Sequence, residues 1–194
     1  MDLDPILDAA KPGDTIQLEA GIYYTGGCNG SDPLVGSYLK PGCKLLGRGQ
    51  RKTLVKFHRT DMMDHEWHAI HGAGDGITVS GLTVDCGPVP DGWPRKILGI
   101  ALQGDENTVN GCEVVRVYGI RSSLAESFGI TFLGGSYGIV TNCYIHDFKG
   151  DYCTGIFTSG FGRASRNSVL FPAIGAASEP TSFRFGVVPE QSAW

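Results

Sequence analysis

Apolar and polar residues alternate along this chain in short runs, and each run ends at glycine, asparagine or aspartate. Ile77 and Val79 form one such run, and Leu82 and Val84 form the next one after Gly81. Alternation with a period of two over so few residues is typical of short β-strands, because successive side chains point to opposite faces. The pattern therefore predicts many short strands separated by tight corners.

One pattern occurs three times in the second half of the chain. Each copy begins with a glycine-isoleucine phrase and continues, after a polar corner, with a second apolar phrase. The first phrases are residues 99–104, 129–134 and 155–160, and the second phrases are residues 108–114, 139–145 and 165–170. A repeat of about 30 residues indicates units that bury their apolar face by stacking on their neighbours. We therefore expect a coil whose parallel strands stack about 4.8 Å apart.

The repeat predicts which residues lie above one another. Val79, Val109 and Val140 are one repeat apart, so we expect them to stack inside the coil. The other inward residues are Ile100, Leu102, Ile130, Phe132 and Ile156 in first strands and Leu82, Val84, Val114, Ile145 and Leu170 in third strands. The tight corner before each third strand stacks Gly81, Gly111, Asn142 and Asn167, residue types that tolerate a left-handed backbone.

The start of the chain adds a further phrase, Ala-Lys-Pro-Gly-Asp-Thr-Ile-x-Leu-x-x-Gly-x-Tyr, at residues 10–23. It follows a predicted short helix over residues 4–10, with Asp4 as the N-cap and Pro5 at the first helical position. With the stacked repeat, this opening resembles the pectin-lyase-like family of right-handed parallel β-helices. The resemblance implies an all-β solenoid with three strands per turn, about six turns and a short N-terminal capping helix. We expect one β-helix domain over residues 1–170, followed by an irregular tail over residues 171–194.

Composition excludes several classes of function. The 194 residues include 16 basic and 20 acidic ones and carry a net charge of -4, without the basic stripe of a nucleic-acid-binding protein. No apolar stretch reaches the length of a membrane span. No apolar signal segment follows Met1, which leaves a cytoplasmic protein or a chain supplied without its export signal. The family resemblance implies an extracellular or periplasmic location.

The six cysteines do not indicate a disulfide-stapled domain. Cys112 and Cys143 fall one turn apart, so we predict stacked buried thiols rather than metal ligands. Cys28 and Cys43 are close enough in sequence to pair, with reduced thiols as the default.

In the pectin-lyase-like family, the substrate groove lies over the outside of the first strand, beside the corner that precedes it. The outward positions here are Ala69, His71, Ala101, Gln103, Thr131, Leu133, Phe157 and Ser159. Cleaving a polyuronate by β-elimination requires a cation against the carboxylate and a base for the adjacent proton. The candidate catalytic residues are therefore Arg116, Lys149 and His71, and the candidate substrate-binding residues are Gln103, Trp67, Trp93, Arg95 and Arg121.

Calcium is the candidate cofactor, because Asp85, Asp147 and Asp151 offer oxygen ligands in the corners beside the groove. The competing interpretation is that these corner charges are merely solvated. A hydrolase ranks below a lyase, since it needs two carboxylic acids at a defined separation. The chain offers His71-Gly72 but lacks the paired aspartates of the polygalacturonase pattern.

Residues 61–71 are rich in acidic residues and histidine, among them His68 and His71, and such a set can bind a transition metal. The preferred interpretation is a surface loop beside the groove, with His71 or Trp67 facing sugar. Because their spacing is odd, we expect His68 and His71 to point to opposite faces of a strand. Trp67 and Trp93 are the candidates for stacking on sugar rings.

The sequence thus predicts a carbohydrate-active β-helix protein, with a polysaccharide lyase acting on an acidic polysaccharide as the preferred function. The alternative is a non-catalytic coil of the tailspike or surface-protein type, which binds glycan or spaces other domains. That alternative predicts a homo-oligomer formed through residues 171–194.

Overall fold

The computed structural model describes residues 1–29, 32–58, 66–87, 96–119, 127–150, 153–158 and 162–170. This part of the chain contains one helix, α1 (Asp4–Ala9), and is otherwise built from strands and corners. In chain order the strands are β1 (Thr15–Gln17), β2 (Gly21–Thr25), β3 (Cys28–Asn29), β4 (Asp32–Gly36), β5 (Lys44–Leu46), β6 (Thr53–Phe57), β7 (Glu66–Ala73), β8 (Thr78–Ser80), β9 (Thr83–Asp85), β10 (Lys96–Gln103), β11 (Thr108–Asn110), β12 (Glu113–Val115), β13 (Tyr118–Gly119), β14 (Ser127–Phe132), β15 (Ile139–Thr141), β16 (Tyr144–His146), β17 (Lys149–Gly150), β18 (Cys153–Thr158), β19 (Arg163–Ser165) and β20 (Ser168–Val169).

The strands stack into three sheets, which confirms the predicted parallel β-helix. Sheet 1 contains the long strands β7, β10, β14 and β18 in parallel, with the antiparallel hairpin β3–β4 at its N-terminal edge. Sheet 2 has the order β1-β5-β8-β11-β15-β19, and sheet 3 has the order β2-β6-β9-β12-β16-β20. Sheets 2 and 3 thus have six strands each. Sheet 1 has four long strands, one from each of about four turns. The tail over residues 171–194 lies outside the described residues.

The three valines chosen from the repeat form one column inside sheet 2. Val109 pairs in register with Val79 on one side and with Val140 on the other. All three side chains are completely buried. Burying a valine side chain stabilises a fold by roughly 1.5–3 kcal/mol relative to leaving it exposed, so this column is a main source of cohesion between turns.

Helix α1 covers the N-terminal end of the coil with Leu3 and Leu7, which are buried in the main core. The predicted N-cap is wrong, because Leu3 occupies that position and Asp4 lies inside the helix. The Asp4 carboxylate instead accepts hydrogen bonds from Thr25 Oγ1 at 2.6 Å and from the Gly26 amide at 2.9 Å. It therefore ties the capping helix to the end of β2.

Each long strand of sheet 1 breaks its alternation once. In β7 both Ala69 and Ile70 belong to the interior cluster, so two consecutive residues face the core. Glycine occupies the first of these two places in the next three turns, at Gly99, Gly129 and Gly155. A Cβ atom there would lie 2.4–2.5 Å from side chains of sheet 3, namely Val114, Ile145 and Val169. The glycine of each repeat is therefore explained by close packing between sheets 1 and 3.

The left-handed corner is confirmed at Gly81, Gly111 and Asn142, whose φ angles are 65°, 63° and 55°. In the last turn the prediction is wrong by one residue, because Thr141 pairs with Ser165 and Arg166 follows with a φ of 55°.

Asn167 has a different place, beneath Cys143. Its Oδ1 accepts a hydrogen bond from the Cys143 amide at 2.8 Å, and its Nδ2 donates to the Val140 carbonyl at 3.0 Å. Asn142 is exposed and donates to Asn110 Oδ1 at 2.9 Å. The hydrogen bonds from a side-chain amide to the backbone of the neighbouring turn are therefore made by the residue that follows the corner.

The predicted cysteine stack is confirmed. Cys112 and Cys143 are both buried, and a hydrogen bond with Cys143 together with burial holds the pKa of Cys112 well above its ordinary value. All six cysteines are free thiols, including Cys28 and Cys43. Among the described residues, no helix has the length and apolar character needed to cross a membrane.

Candidate functional site

The outer face of sheet 1 is where the sequence predicted a groove. Ala101 pairs in register with His71 on β7 and with Thr131 on β14, so the three side chains form one outward column. This column is buried, with exposed fractions of 0% for Ala101, 3% for His71 and 0% for Thr131. Gln103, at the end of β10, is exposed. The face is thus covered along the His71 column and open at the Gln103 rim.

A small apolar cluster lies on this outer face of sheet 1, apart from the interior cluster. It consists of Leu98, Ala101 and Phe128, with Leu133 and Phe157 packed against it. The rings of Phe128 and Phe157 lie 5.3 Å apart between centroids. Ala69 was also expected to face outward, and that expectation is wrong, because the break in alternation turns it into the core.

Three polar residues of β7 form a connected chain beside this cluster. The Oε1 atom of Glu66 lies 2.7 Å from Nε2 of His68, and Nδ1 of His68 lies 2.8 Å from Nδ1 of His71. The expectation that the two histidines point to opposite faces is therefore wrong. Because Ala69 and Ile70 both face inward, the strand resets its alternation and leaves His68 and His71 on the same outer side.

The hydrogen-bonded series from Glu66 through His68 to His71 ends at a buried nitrogen atom. Nε2 of His71 is buried and has no hydrogen-bond partner within the described part of the chain. Burial lowers the pKa of His71 to about 4, so the imidazole is neutral at pH 7. The ring of Tyr38 stands edge-on to His71, with centroids 6.4 Å apart. A neutral imidazole with an unengaged nitrogen can accept a proton.

A second buried polar atom lies on the same column. Thr131 Oγ1 is buried and, within the described residues, has no hydrogen-bond partner. It is two strands from His71, which corresponds to roughly 10 Å at the usual strand spacing. Ala101, the small residue between them, leaves no bulky side chain between the two polar groups, and Phe157 of β18 follows Thr131 on its other side.

Arg116 and Asp85 are brought together, but in a structural ion pair. Arg116 Nε donates to Asp85 Oδ1 at 2.6 Å, and Arg116 Nη2 donates to Asp85 Oδ2. The Asp85 side chain is 7% exposed, and its hydrogen bond with Arg116 raises the pKa of the guanidinium. Arg116 is therefore unsuited to act as a base, and both oxygens of Asp85 are already engaged. The predicted roles of Arg116 in catalysis and of Asp85 as a calcium ligand do not fit this geometry.

Asp147 lies on another part of the surface network. Its Oδ2 atom is 3.1 Å from Nδ1 of His146, and its side chain is 67% exposed. On its other side, Nε2 of His146 is 3.2 Å from the buried Oε1 of Glu113. The described residues contain no group of three or more acidic, histidine or cysteine side chains arranged to hold a metal. Calcium binding through Asp147 and Asp151 stays a prediction, and Asp151 lies outside the described residues.

The aromatic and basic candidates are placed as follows. Trp67 belongs to the interior cluster and is 3% exposed, so the prediction that it stacks on a sugar at the surface is wrong. The reason is again the alternation of β7, in which Trp67 points inward beside outward His68. Lys149 begins β17, and its side chain lies outside the described part. Trp93, Arg95 and Arg121 also lie outside the described residues.

Comparisons with known proteins address the fold. No protein-family model matches the chain, and no curated protein matches it in sequence. Among solved structures, the A-module of the Azotobacter vinelandii mannuronan C-5 epimerase AlgE4 is similar, with a TM-score of 0.46 and 17% sequence identity. The match covers 86% of this chain and 53% of that one, so the chain spans about half the length of its structural neighbour.

The fold is a parallel β-helix. The in-register stacking of sheets 2 and 3 and the capping helix carry this assignment within the molecule itself. A β-helix of this kind hosts several unrelated functions, so its activity has to be argued from side chains.

Sequence reasoning did not assign three residues, Tyr38, Glu66 and His68, to this site. Tyr38 is distant from His71 in the chain, and no repeat marks it. Glu66 and His68 were recognised only as part of a metal-binding alternative, since the assumed alternation separated His68 from His71. The repeated glycine-isoleucine pair was the signal that could have revealed the reset of the strand.

Proposed function

We propose that this chain is a carbohydrate-active protein of the polysaccharide-lyase type, in which His71 removes the proton beside a uronate carboxylate. The observation that supports the proposal is the unpartnered Nε2 atom of His71 on the outer face of sheet 1. Because burial lowers the pKa of His71 to about 4, this nitrogen carries a free lone pair at neutral pH, and it is a weaker base than an ordinary histidine.

The proposed step moves one proton, breaks a C–H bond and a C–O bond, and forms one carbon–carbon double bond. The carbon beside the uronate carboxylate gives its proton to Nε2 of His71, and the electron pair of that C–H bond forms a carbon–carbon double bond. The glycosidic oxygen on the neighbouring carbon leaves with the electron pair of the broken C–O bond and takes a proton from water. Gln103, exposed at the rim of the same face, is suited to hydrogen-bond sugar hydroxyls.

The substrate carboxylate also requires a positive partner. Arg116 is engaged by Asp85, so Arg95, Arg121 and Lys149 remain the proposed clamps. Calcium remains a proposed cofactor to be tested, and no part of the proposed step is routed through it.

Access to the base is part of the proposal. His71 is 3% exposed, and Tyr38 is one of the groups beside it. Substrate therefore reaches Nε2 only if groups that bury His71, Tyr38 among them, move aside. A gated site of this kind predicts that chain length of the oligosaccharide affects turnover, since binding along the open Gln103 rim supplies the energy for opening.

The test is an assay for unsaturated, ultraviolet-absorbing products from pectate, alginate and glycosaminoglycans, with and without calcium. We expect product from one of these classes with the wild-type chain and none with His71→Gln. His58→Gln is the matched control, because His58 is exposed and packs on Tyr24 of sheet 3. Absence of product from every substrate with folded wild-type protein would contradict a lyase.

The second candidate is a non-catalytic coil, and the burial of His71, Ala101 and Thr131 favours it. This candidate predicts glycan binding without chemical change, or no binding, together with oligomers formed through residues 171–194. A monomer in light scattering would count against that alternative.

A further inference from the structure

The chain from Glu66 through His68 to His71 constrains where its hydrogen atoms lie. We propose that Glu66 and His68 are positioning residues that hold His71 in one tautomer, with hydrogen on Nδ1 and a bare lone pair on Nε2. The catalytic meaning of this inference rests on the proposed function, whereas the tautomer itself is measurable without any substrate.

The first constraint comes from the carboxylate. An ionised Glu66 accepts hydrogen bonds and donates none, so the hydrogen in its 2.7 Å contact belongs to Nε2 of His68. The proposal assigns one hydrogen to each imidazole, so Nδ1 of His68 keeps a lone pair; a second hydrogen on His68 would reverse the contact and place the hydrogen of His71 on Nε2.

The second constraint follows from the first. Nδ1 of His68 and Nδ1 of His71 are 2.8 Å apart, a hydrogen-bond distance at which one atom donates and the other accepts. Because His68 supplies the lone pair, His71 supplies the hydrogen. The single hydrogen of neutral His71 is therefore on Nδ1, and Nε2 has none.

The assigned tautomer leaves Nε2 of His71 as a hydrogen-bond acceptor. Nε2 of His71 is buried, and among the described residues no donor reaches it. A buried acceptor left without a partner costs about 1–3 kcal/mol, so the fold tolerates this atom at an energetic disadvantage. The arrangement orients a basic nitrogen outward from sheet 1, in the way that a carboxylate fixes the tautomer of a catalytic histidine.

Glu66 favours the charge that forms when His71 accepts a proton, whereas burial disfavours it and keeps the pKa of His71 low. The proton arrives at Nε2, and the electron pair that held it stays with the substrate carbon until the leaving group departs. His71 then carries a positive charge, with Nδ1–H still directed at His68. The negative charge of Glu66, at the far end of the hydrogen-bonded series, attracts that positive charge.

The experiment is nitrogen NMR of the full chain with 15N-labelled histidine, which distinguishes protonated from unprotonated ring nitrogens. The five histidines are assigned by comparison with single variants, His71→Gln among them. For the wild type at pH 7, we expect His71 to have a protonated Nδ1 and an unprotonated Nε2. Hydrogen on Nε2 of His71 would overturn the proposal.

Variants at position 66 test whether the carboxylate is the cause. An amide both donates and accepts, so Glu66→Gln should release the constraint and move hydrogen to Nε2 in a large fraction of the molecules. Glu66→Asp keeps an acceptor-only group and should retain the original tautomer. Glu19→Gln is the control, since that carboxylate pairs with Arg48 at the surface. An unchanged His71 tautomer in folded Glu66→Gln would also overturn the proposal.

Activity provides a separate readout. With a substrate that the wild type cleaves, Glu66→Gln should lower kcat by as much as about 100-fold and leave KM nearly unchanged, because the base is misoriented while the rim is intact. If no polysaccharide is cleaved, the proposed function fails while the NMR result still decides the tautomer.

Discussion

His68 and His71 lie on one strand, three positions apart, and their Nδ1 atoms are only 2.8 Å from each other. A regular strand would point them to opposite faces. The contact exists because Ala69 and Ile70 both face the core, which shifts the alternation of β7 by one residue. The same shift recurs one turn later, where Leu98 and Ala101 share the outer cluster. The candidate site therefore depends on an irregularity that every long strand repeats.

The glycine at the shift should be intolerant of a side chain. At Gly155 a Cβ atom would lie 2.4 Å from Cγ1 and 2.7 Å from Cγ2 of Val169. We expect Gly155→Ala to lower the free energy of unfolding by about 1–3 kcal/mol, because the inserted methyl overpacks the space between the sheets. Urea denaturation measures the loss. Val169→Ala in the same chain should recover part of it, and strictly additive losses would contradict the packing argument.

The valine column should be sensitive to truncation. Val109 is fully buried between Val79 and Val140, so Val109→Ala removes buried surface and leaves a cavity. We expect a loss of about 1–3 kcal/mol in the free energy of unfolding, measured by urea denaturation. Ile139→Ala is the control, because Ile139 is 43% exposed on the neighbouring strand. Equal losses for the two variants would show that the column is not the centre of the core.

Glu113 should contribute stability that depends on pH. Its buried carboxylate accepts hydrogen bonds from Arg51 Nε at 2.9 Å and from Thr83 Oγ1 at 2.9 Å. Burial raises the pKa of Glu113, but the hydrogen bonds from Arg51, His146 and Thr83 outweigh it and hold the pKa below the ordinary 4.5. A carboxyl group with a lowered pKa stabilises the fold fully above its unfolded-state value and loses that contribution as the pH falls through its folded-state value.

Glu113→Gln should therefore cost about 1–3 kcal/mol at pH 7, and the difference from the wild type should shrink as the pH falls below about 4.5. Denaturation at a series of pH values measures this difference. Glu19→Gln, at an exposed surface pair, should show little change at any pH. A difference for Glu113→Gln that stays constant down to pH 3 would contradict the assigned network.

Arg116 should act on stability rather than on chemistry. Arg116→Ala leaves the Asp85 carboxylate buried without its guanidinium, whereas Arg116 itself is 43% exposed and partly screened by water. We expect a loss of about 1–3 kcal/mol, with Arg116→Lys recovering only part, because lysine cannot form the two-armed contact. The decisive comparison is with Asp85→Ala/Arg116→Ala. If the loss in the double variant equals the sum of the losses measured for Asp85→Ala and Arg116→Ala separately, the two residues do not act as a pair.

The sequence was sufficient to predict the coil because its cause is local and repeated. Val79, Val109 and Val140 recur with the period of the turns, and stacking is the arrangement that buries all of them. The same logic failed at Asn167 and at Asp4, where a neighbouring residue takes the expected backbone position. In both cases the side chain found a stronger hydrogen-bonding role beside that position.

The candidate site was harder to predict because its parts depend on tertiary contacts. Trp67 looks like a surface aromatic in sequence, and the direction in which it points is decided by where β7 begins. The pairing of Arg116 with Asp85 joins residues one turn apart, which no local pattern marks. His71 was recognised from its outward position, while the residues that orient it became visible only once the strand shift was known.

The central claim is that His71 removes the proton beside a uronate carboxylate, and solvent exchange tests it most directly. An acidic polysaccharide incubated in deuterium oxide with the wild-type chain should acquire deuterium at that carbon or yield the unsaturated product. His71→Gln should do neither, and His58→Gln should behave as the wild type. Exchange or product formation by His71→Gln at the wild-type rate would contradict the claim.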